Sequence, residues 1–298
     1  KKVRRINQMG DLIIDAFFYS VATMSLLSTT VVFVSYLSFS DLRTPIYRVV
    51  TYLALSDFIW ILFVLCCHID DRASSCSTYA YLITSCQLAS VLWTVYIAYS
   101  VKVSIIRQSE KQPKFKWWFY PLIGFGIPLG LAALPFVTKS YNKKDLTWCW
   151  IARHDSLWAN LWFLLLFYVP LFIGLTYCAY SYIKASKIMR ANLSIMQMDN
   201  AELQSRLFYI RKLKFFPLIL VVCWLPGFFL DFILFAVGEE FEYLDKASAI
   251  LSCTQGLLNS LAYSYSSVLV TYVRNRFCPH SASGCHLKED LVDELLGF

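Results

Sequence analysis

Asp57 closes Leu53-Ala54-Leu55-Ser56-Asp57 in the middle of an apolar run from Pro45 to Cys67, where the surrounding sequence offers a carboxylate no water. Asp15 lies in a run from Leu12 to Leu37, and Asp231 in a run from Leu213 to Val237. An ionisable group within such a run is expensive to bury, so each is a functional candidate. Asp57 reads as the centre of a polar cluster whose hydrogen bonds have two arrangements, as a switch requires. A static interhelical hydrogen bond is the competing reading. Trp224 stands two residues before Pro226, a bulky ring beside a residue that removes a backbone donor and permits a bend. Rotation about that point would open a crevice at one end of the molecule, and Pro217 offers a second bend. Asp231, five residues beyond Pro226 and so about one and a half turns further, could pair with a cationic group or accept hydrogen bonds. An interfacial Asp reaching headgroup water is the alternative, and Asp15 has the same ambiguity.

The elements that must position these residues are long and apolar. Of 298 residues, 58% are hydrophobic and 16% charged, against roughly a quarter charged in soluble domains, and the mean hydropathy is +0.53. A soluble fold of that composition would expose large apolar patches. With 10 Gly and 9 Pro and apolar stretches too long for barrel strands of about 10 residues, a β-barrel is excluded. Runs of about 20 apolar residues cross a bilayer core. Seven occur: Leu12 to Leu37, Pro45 to Cys67, Cys76 to Ile106, Trp117 to Thr138, Leu157 to Ile183, Leu213 to Val237 and Lys246 to Val273. The expected fold is all-α, a seven-transmembrane helix bundle over residues 1–277, with a cytosolic tail over 278–298 and room there for a short amphipathic helix. No internal repeat and no cleavable leader are evident, the first run being of span length.

Orientation follows from Lys and Arg. With the N-terminus outside, the inside loops hold Arg43, Arg48, Lys102, Arg107, Lys111, Lys114, Lys116, Lys184, Lys187, Arg190, Arg206, Arg211, Lys212, Lys214, Arg274, Arg276 and Lys288, the greater part of the 27 basic residues. Lys1, Lys2, Arg4 and Arg5 oppose it. The net charge of +7 then faces anionic lipid or a cytosolic partner, and no nucleic acid is expected. The sequon Asn192-Leu193-Ser194 falls in the longest inside loop and should carry no glycan.

Cys66, Cys67, Cys86, Cys178, Cys223 and Cys253 fall inside apolar runs and serve as small hydrophobes. Cys76, at the outer start of the third run, and Cys149, between Trp148 and Trp150 in the second outside loop, would face an oxidising compartment. Cys278 and Cys285 lie just past the last run, where S-acylation competes with a zinc site completed by His280 and His286; no metal is expected.

An outer Cys opening the third helix with a second in the outer loop, Asp57 in Leu53-Ala54-Leu55-Ser56-Asp57, Pro170 interrupting the fifth helix, Cys223-Trp224-Leu225-Pro226 in the sixth and Asn259-Ser260-Leu261-Ala262-Tyr263 ending the seventh resemble a G-protein-coupled receptor. Leu92-Trp93-Thr94, Trp148-Cys149-Trp150-Ile151 and Val222-Cys223-Trp224 are similar to the cyclic-AMP-receptor-like group. The resemblance covers about residues 12 to 277. It implies a Cys76–Cys149 disulfide and places Asn259 and Ser260 opposite Asp57, so that the switch set is Asp57, Trp224, Pro226, Asn259, Ser260 and Tyr263. Ser260 replaces the proline common in the seventh helix, which lowers the expectation of a kink there. Ser100-Val101-Lys102 stands where rhodopsin-like receptors carry Asp-Arg-Tyr, so that ionic latch is absent.

The same resemblance implies an extracellular small-molecule ligand, with Asp231, Arg153, Trp150 and Gln87 as its binding residues, and a heterotrimeric G protein facing Lys102, Arg107, Arg211, Lys212 and Lys214. Membrane lipids are the remaining partners, in the plasma or ciliary membrane. No cofactor and no enzymatic activity are implied. Lys139, Lys143, Lys144, Arg153 and His154 would attract an anionic ligand, but Glu239, Glu240, Glu242 and Asp245 crowd the third outside loop, so cyclic AMP is not carried over. A transporter or channel, or a structural subunit, is the alternative; the former lacks inverted repeats and a path of intramembrane acids. No Lys lies mid-way along the seventh run, which excludes a retinal pigment.

Overall fold

The computed structural model describes residues 2–40, 43, 45–69, 73–107, 119–142, 149–152, 156–195, 213–237 and 242–264. Among the described residues, helices fall within each of the seven expected runs. They are α1 (Lys2–Ser38), α2 (Pro45–Ile69), α3 (Ala73–Arg107), α4 (Phe119–Ala132), α5 (Leu157–Phe163), α6 (Val169–Ile195), α7 (Phe215–Val237), α8 (Glu242–Cys253) and α9 (Gln255–Ser264). Among the described residues five helical stretches are long and apolar enough to cross a membrane: Leu12–Ser38, Tyr47–Ile69, Ser75–Val103, Phe119–Phe136 and Leu157–Ile188. A shorter apolar helix spans Phe215–Leu230. The protein is an all-α integral membrane bundle.

Position in the bundle follows composition. In α3, 72% of the most apolar window is buried within the protein, against 22% in α4, so α3 is the central post and α4 a peripheral one. Leu122, Ile123, Ile127 and Leu129 of α4 are exposed, as residues facing hydrocarbon should be.

Two helix irregularities depart from the sequence expectation. Pro170 does not interrupt its helix. A π turn over Leu164–Tyr168 precedes it, with Val169 N–H donating to the Leu164 carbonyl five residues back, and α5 continues into α6. The wider turn accommodates the donor that Pro170 lacks and the ring it carries. In the seventh run α9 runs through Ser260, where no kink was expected, and an irregularity that the sequence did not announce falls at Thr254. Thr254 N–H donates to the Leu251 carbonyl at 3.1 Å and its hydroxyl to the same oxygen at 2.6 Å, tightening the last turn of α8 before α9 begins. Pro217 lies in the first turn of α7, where a missing N–H removes no intrahelical bond, so the second bend expected there is not required.

The core has two parts. One gathers Trp60, Ile83, Trp150, Phe163, Phe167 and Trp224 toward the end of the bundle that holds Cys76 and Cys149. The other gathers Tyr47, Leu53, Trp93, Ile97, Phe216 and Tyr263 toward the opposite end.

Candidate functional site

Asp57 is buried at the junction of α2, α3 and α9. Its Oδ1 accepts from Ser90 Oγ at 3.0 Å and from Gln255 Nε2 at 2.8 Å, and its Oδ2 accepts from Asn259 Nδ2 at 2.6 Å. Gln255 Nε2 also lies 2.7 Å from Ser90 Oγ. The Oε1 of Gln255 in turn accepts the indole N–H of Trp224. One continuous network therefore joins α2, α3, α7 and α9. A buried carboxylate with three donors is largely satisfied, and removing it would orphan all three.

Close approach makes this possible. A Cβ on Gly256 would lie 2.5 Å from Ser25 Oγ and 3.4 Å from the Asp57 Cβ, so only glycine lets α9 settle against α1 and α2 with Gln255 at the carboxylate. Gln255 and Asn259, four residues apart, share that face.

The structure brings Asp57, Trp224 and Asn259 together as parts of one network. Ser260 does not face Asp57; its hydroxyl donates to the Gly256 carbonyl of its own helix at 2.7 Å. Tyr263 is buried one turn beyond Asn259, its ring edge-on to Tyr47 at 5.4 Å. Pro226 lies within α7, which runs through it, with Ser252 of α8 donating to the carbonyl of Cys223 at 3.5 Å just before the proline. Asp15 is exposed on α1 and takes no part in the network.

Sequence reasoning missed Ser90 and Gln255. The position of Gln255 one turn before Asn259 is a signal that could have found it. Ser90 offered none, because hydroxyls inside apolar helices usually bond their own backbone, as Thr94 does with the Ser90 carbonyl at 2.9 Å.

At the disulfide end, Cys76 is bonded to Cys149 with Cα atoms 5.3 Å apart. Beyond Cys149, Trp150–Ile151 pairs antiparallel with Tyr141–Asn142 in a two-stranded ribbon, Tyr141 opposite Ile151. The ribbon is held from three sides. Tyr141 Oη donates to the Ala132 carbonyl at 2.7 Å, Ala152 N–H to the Ser140 carbonyl at 2.9 Å, and Trp162 Nε1 to Thr138 Oγ1 at 2.9 Å. Burial pushes the ionisation of the Tyr141 phenol up, keeping it a donor.

Trp150 does not present its ring outward. It is buried edge-on to Phe163 at 5.1 Å and Phe167 at 5.5 Å, and 6.5 Å from Trp224, which also meets Phe167 at 5.0 Å and Trp60 at 5.8 Å. An aromatic chain thus runs from the ribbon to the polar network. Gln87 is buried beneath it, its Nε2 without a hydrogen-bond partner among the described residues. Gln87 shares with Trp60, Ser90, Trp224 and Gln255 a cavity of about 10 Å³, room for about one water molecule. Asp231 lies on α7 with its side chain outside the described residues, as does the whole of Arg153.

At the opposite end, Lys102 Nζ donates to Tyr177 Oη at 2.8 Å and sits 4.6 Å from that ring's centre, 5.5 Å from that of Tyr180 and 5.7 Å from that of Tyr99. Tyr182 Oη donates to the Leu213 carbonyl at 2.7 Å, tying α6 to the start of α7. Lys214 is exposed there, 6.0 Å over the Phe215 ring. Arg107 ends α3 with its side chain undescribed, and Arg211, Lys212, Cys278, Cys285 and the tail over 278–298 lie outside the described residues.

The model of the slime mold cyclic AMP receptor family matches residues 8–281 of the chain. G-protein coupled receptor 1 of Arabidopsis thaliana is 24% identical over 275 residues, which is 89% of this chain and 81% of that protein. Cyclic AMP receptor-like protein C of Dictyostelium discoideum is 26% identical over 186 residues, 62% of this chain and 49% of that one. G-protein coupled receptor 157 of Mus musculus is 30% identical over 132 residues, 41% of this chain and 40% of that one. The chain spans half or less of the length of the Dictyostelium relatives it matches.

Proposed function

The chain belongs to the slime mold cyclic AMP receptor family, and from that premise we propose that it is a seven-transmembrane cell-surface receptor with its N-terminus outside. It couples binding of an extracellular small molecule to activation of a heterotrimeric G protein through movement of α7. The observation that carries this reading is the hydrogen bond from Trp224 to Gln255, which links α7 to the Asp57 and Asn259 carboxylate–amide pair. Trp224 also meets Phe167 and Trp150, so a ligand that shifts the outer aromatic chain changes the geometry of the same indole that feeds the network.

In this mechanism the resting bundle is held closed by apolar packing around Trp224 and by its N–H bond. A ligand favours the open form only by binding it more tightly than the closed one. Opening moves the start of α7, with Arg211, Lys212 and Lys214, away from the end of α3, with Lys102 and Arg107. These like charges favour separation by a small, salt-screened amount. A G-protein segment inserted between the two basic ends stabilises the open form and by reciprocity tightens ligand binding.

In this reading the extracellular small molecule is met by Arg153 and Asp231, while Trp150 and Gln87, both buried, do not touch it and belong to the layer that its binding shifts. The names of the Dictyostelium relatives point to a cyclic nucleotide, whereas the mixed charge of the outside loops in this chain gives no uniform attraction for a phosphate.

The test is nucleotide exchange on a G protein by the purified receptor in lipid nanodiscs. Trp224→Ala should alter basal or ligand-driven exchange more than expression, and charge reversal at Lys212 and Lys214 should impair exchange while leaving ligand affinity without G protein nearly intact. Parent-like signalling by both folded variants would remove the α7 mechanism. A glycan on Asn192 would invert the topology.

A further inference from the structure

Between α3, α4 and α6 lies a groove of about 440 Å³, within the size range of small-molecule sites. Its floor is α3, through Leu92, Val95 and Tyr96; its walls are Ile123 and Ile127 of α4 and Tyr177 of α6. The groove exists because α4 packs closely on α3 while making no comparable contact with α6. Gly124 sets that packing. A Cβ there would fall 2.1 Å from the Trp93 ring, so the indole lies flat against bare backbone and draws α4 toward α3.

The groove opens on the face of the bundle that meets hydrocarbon, where Ile123 and Ile127 of its lining are exposed. One end differs from the rest. Tyr99 and Tyr177 line it, and both rings face Lys102, whose ammonium uses one of its three donors on Tyr177 Oη. No carboxylate pairs with Lys102 among the described residues. About two turns beyond Tyr177 along α6, Lys184 Nζ lies 3.3 Å from Tyr180 Oη. An apolar trough ending at tyrosines and uncompensated ammonium groups has the layout of a lipid: hydrocarbon along its length, then amphipathic rings at headgroup level, then positive charge.

We propose that this groove holds one acyl chain of an anionic membrane phospholipid whose headgroup is met by Lys102, with Lys184 adding to the field. Charge complementarity selects the anionic lipid over a zwitterionic one of equal chain length. The apolar walls select a membrane lipid over a free phosphate, which would leave the trough uncovered. Because Lys102 bridges α3 and α6, the bound headgroup competes with Tyr177 for that ammonium and couples lipid composition to the α3–α6 contact. The site rests on the membrane reading alone and stands whether or not the protein signals.

The experiment places the purified protein in phosphatidylcholine nanodiscs with a trace of phosphatidylserine or phosphatidylcholine carrying a photoreactive diazirine in its acyl chain. Labelled residues are then mapped by mass spectrometry. The phosphatidylserine probe should label Val95, Ile123 and Ile127 above the exposed α1 positions Leu27 and Val31. Lys102→Gln should lower the preference for phosphatidylserine over phosphatidylcholine about five-fold, and Lys102→Arg should retain it. Ile127→Trp, which fills the groove from an exposed position, should abolish labelling there and leave that of α1 unchanged. Labelling no stronger than on α1, equal labelling by both probes regardless of Lys102, or displacement by an unlabelled sterol but not by unlabelled phosphatidylserine would each overturn the proposal.

Discussion

Around Trp150 the bundle is closed covalently and by aromatic packing; around Lys102 it is closed by hydroxyls and a cation. At the first end a disulfide joins the start of α3 to the ribbon, and Trp150, Phe163 and Phe167 pack together beneath it. At the second, α6 is tied to its neighbours by Tyr177 Oη on Lys102 and Tyr182 Oη on the Leu213 carbonyl. The first set of contacts cannot be exchanged for water without unfolding the loop. The second consists of single hydrogen bonds beside basic side chains, each worth only about 1 kcal/mol net. In the proposed mechanism the first end stays fixed and the second is the one that separates. The polar network around Asp57 lies between them.

If that contrast is right, the largest loss should come from the covalent end. Replacing both Cys76 and Cys149 by Ser releases a loop closed across 73 residues, worth about 4 kcal/mol by chain entropy and less where the membrane already restrains the chain. The expected result is a large fall in folded protein at the cell surface, read by surface labelling and by the thermal melting of what can be purified.

Next comes the network. Asp57→Ala leaves Ser90, Gln255 and Asn259 donors without their acceptor and should destabilise by roughly 2–3 kcal/mol. Asp57→Asn keeps one acceptor oxygen and should lose about half as much. Thermal unfolding in detergent separates the two, and equal losses would mean that volume, not hydrogen bonding, matters at this site.

Trp224→Phe retains an aromatic ring against Phe167 but removes the N–H bonded to Gln255. Interhelical hydrogen bonds in membranes average about 0.6 kcal/mol and reach about 1.7, so stability should change little. Basal nucleotide exchange should change several-fold in the proposed mechanism, and unchanged exchange would leave that bond a purely structural one.

Smallest is Tyr177→Phe, which removes the 2.8 Å bond to Lys102 while preserving the ring over which the cation sits. It should reduce stability by about 1 kcal/mol or less and raise basal exchange modestly. An effect as large as that of the disulfide variant would erase the distinction between the two ends.

Much of this was legible along the chain because hydrocarbon imposes one strong rule, that polar backbone be satisfied within helices. Apolar length and punctuation by charge therefore located the helices seen among the described residues, and the isolation of Asp57 among apolar residues marked it before any contact was known. The cysteines in the loop and at the head of α3 were distinguishable by position alone from the six that fall inside apolar runs. What tertiary structure decided are the partners: that Asp57 meets Gln255 and Ser90 as well as Asn259, that Ser260 turns back on its own helix, and that Trp150 points into the core. These depend on how far each helix rotates about its axis and how closely α9 approaches α1 and α2 at Gly256. Rotation and spacing are fixed by side-chain packing between distant segments, a quantity to which local composition is nearly blind. The π turn before Pro170 and the tightened turn at Thr254 belong to the same class, since each changes the helical register locally in a way that sequence order does not reveal.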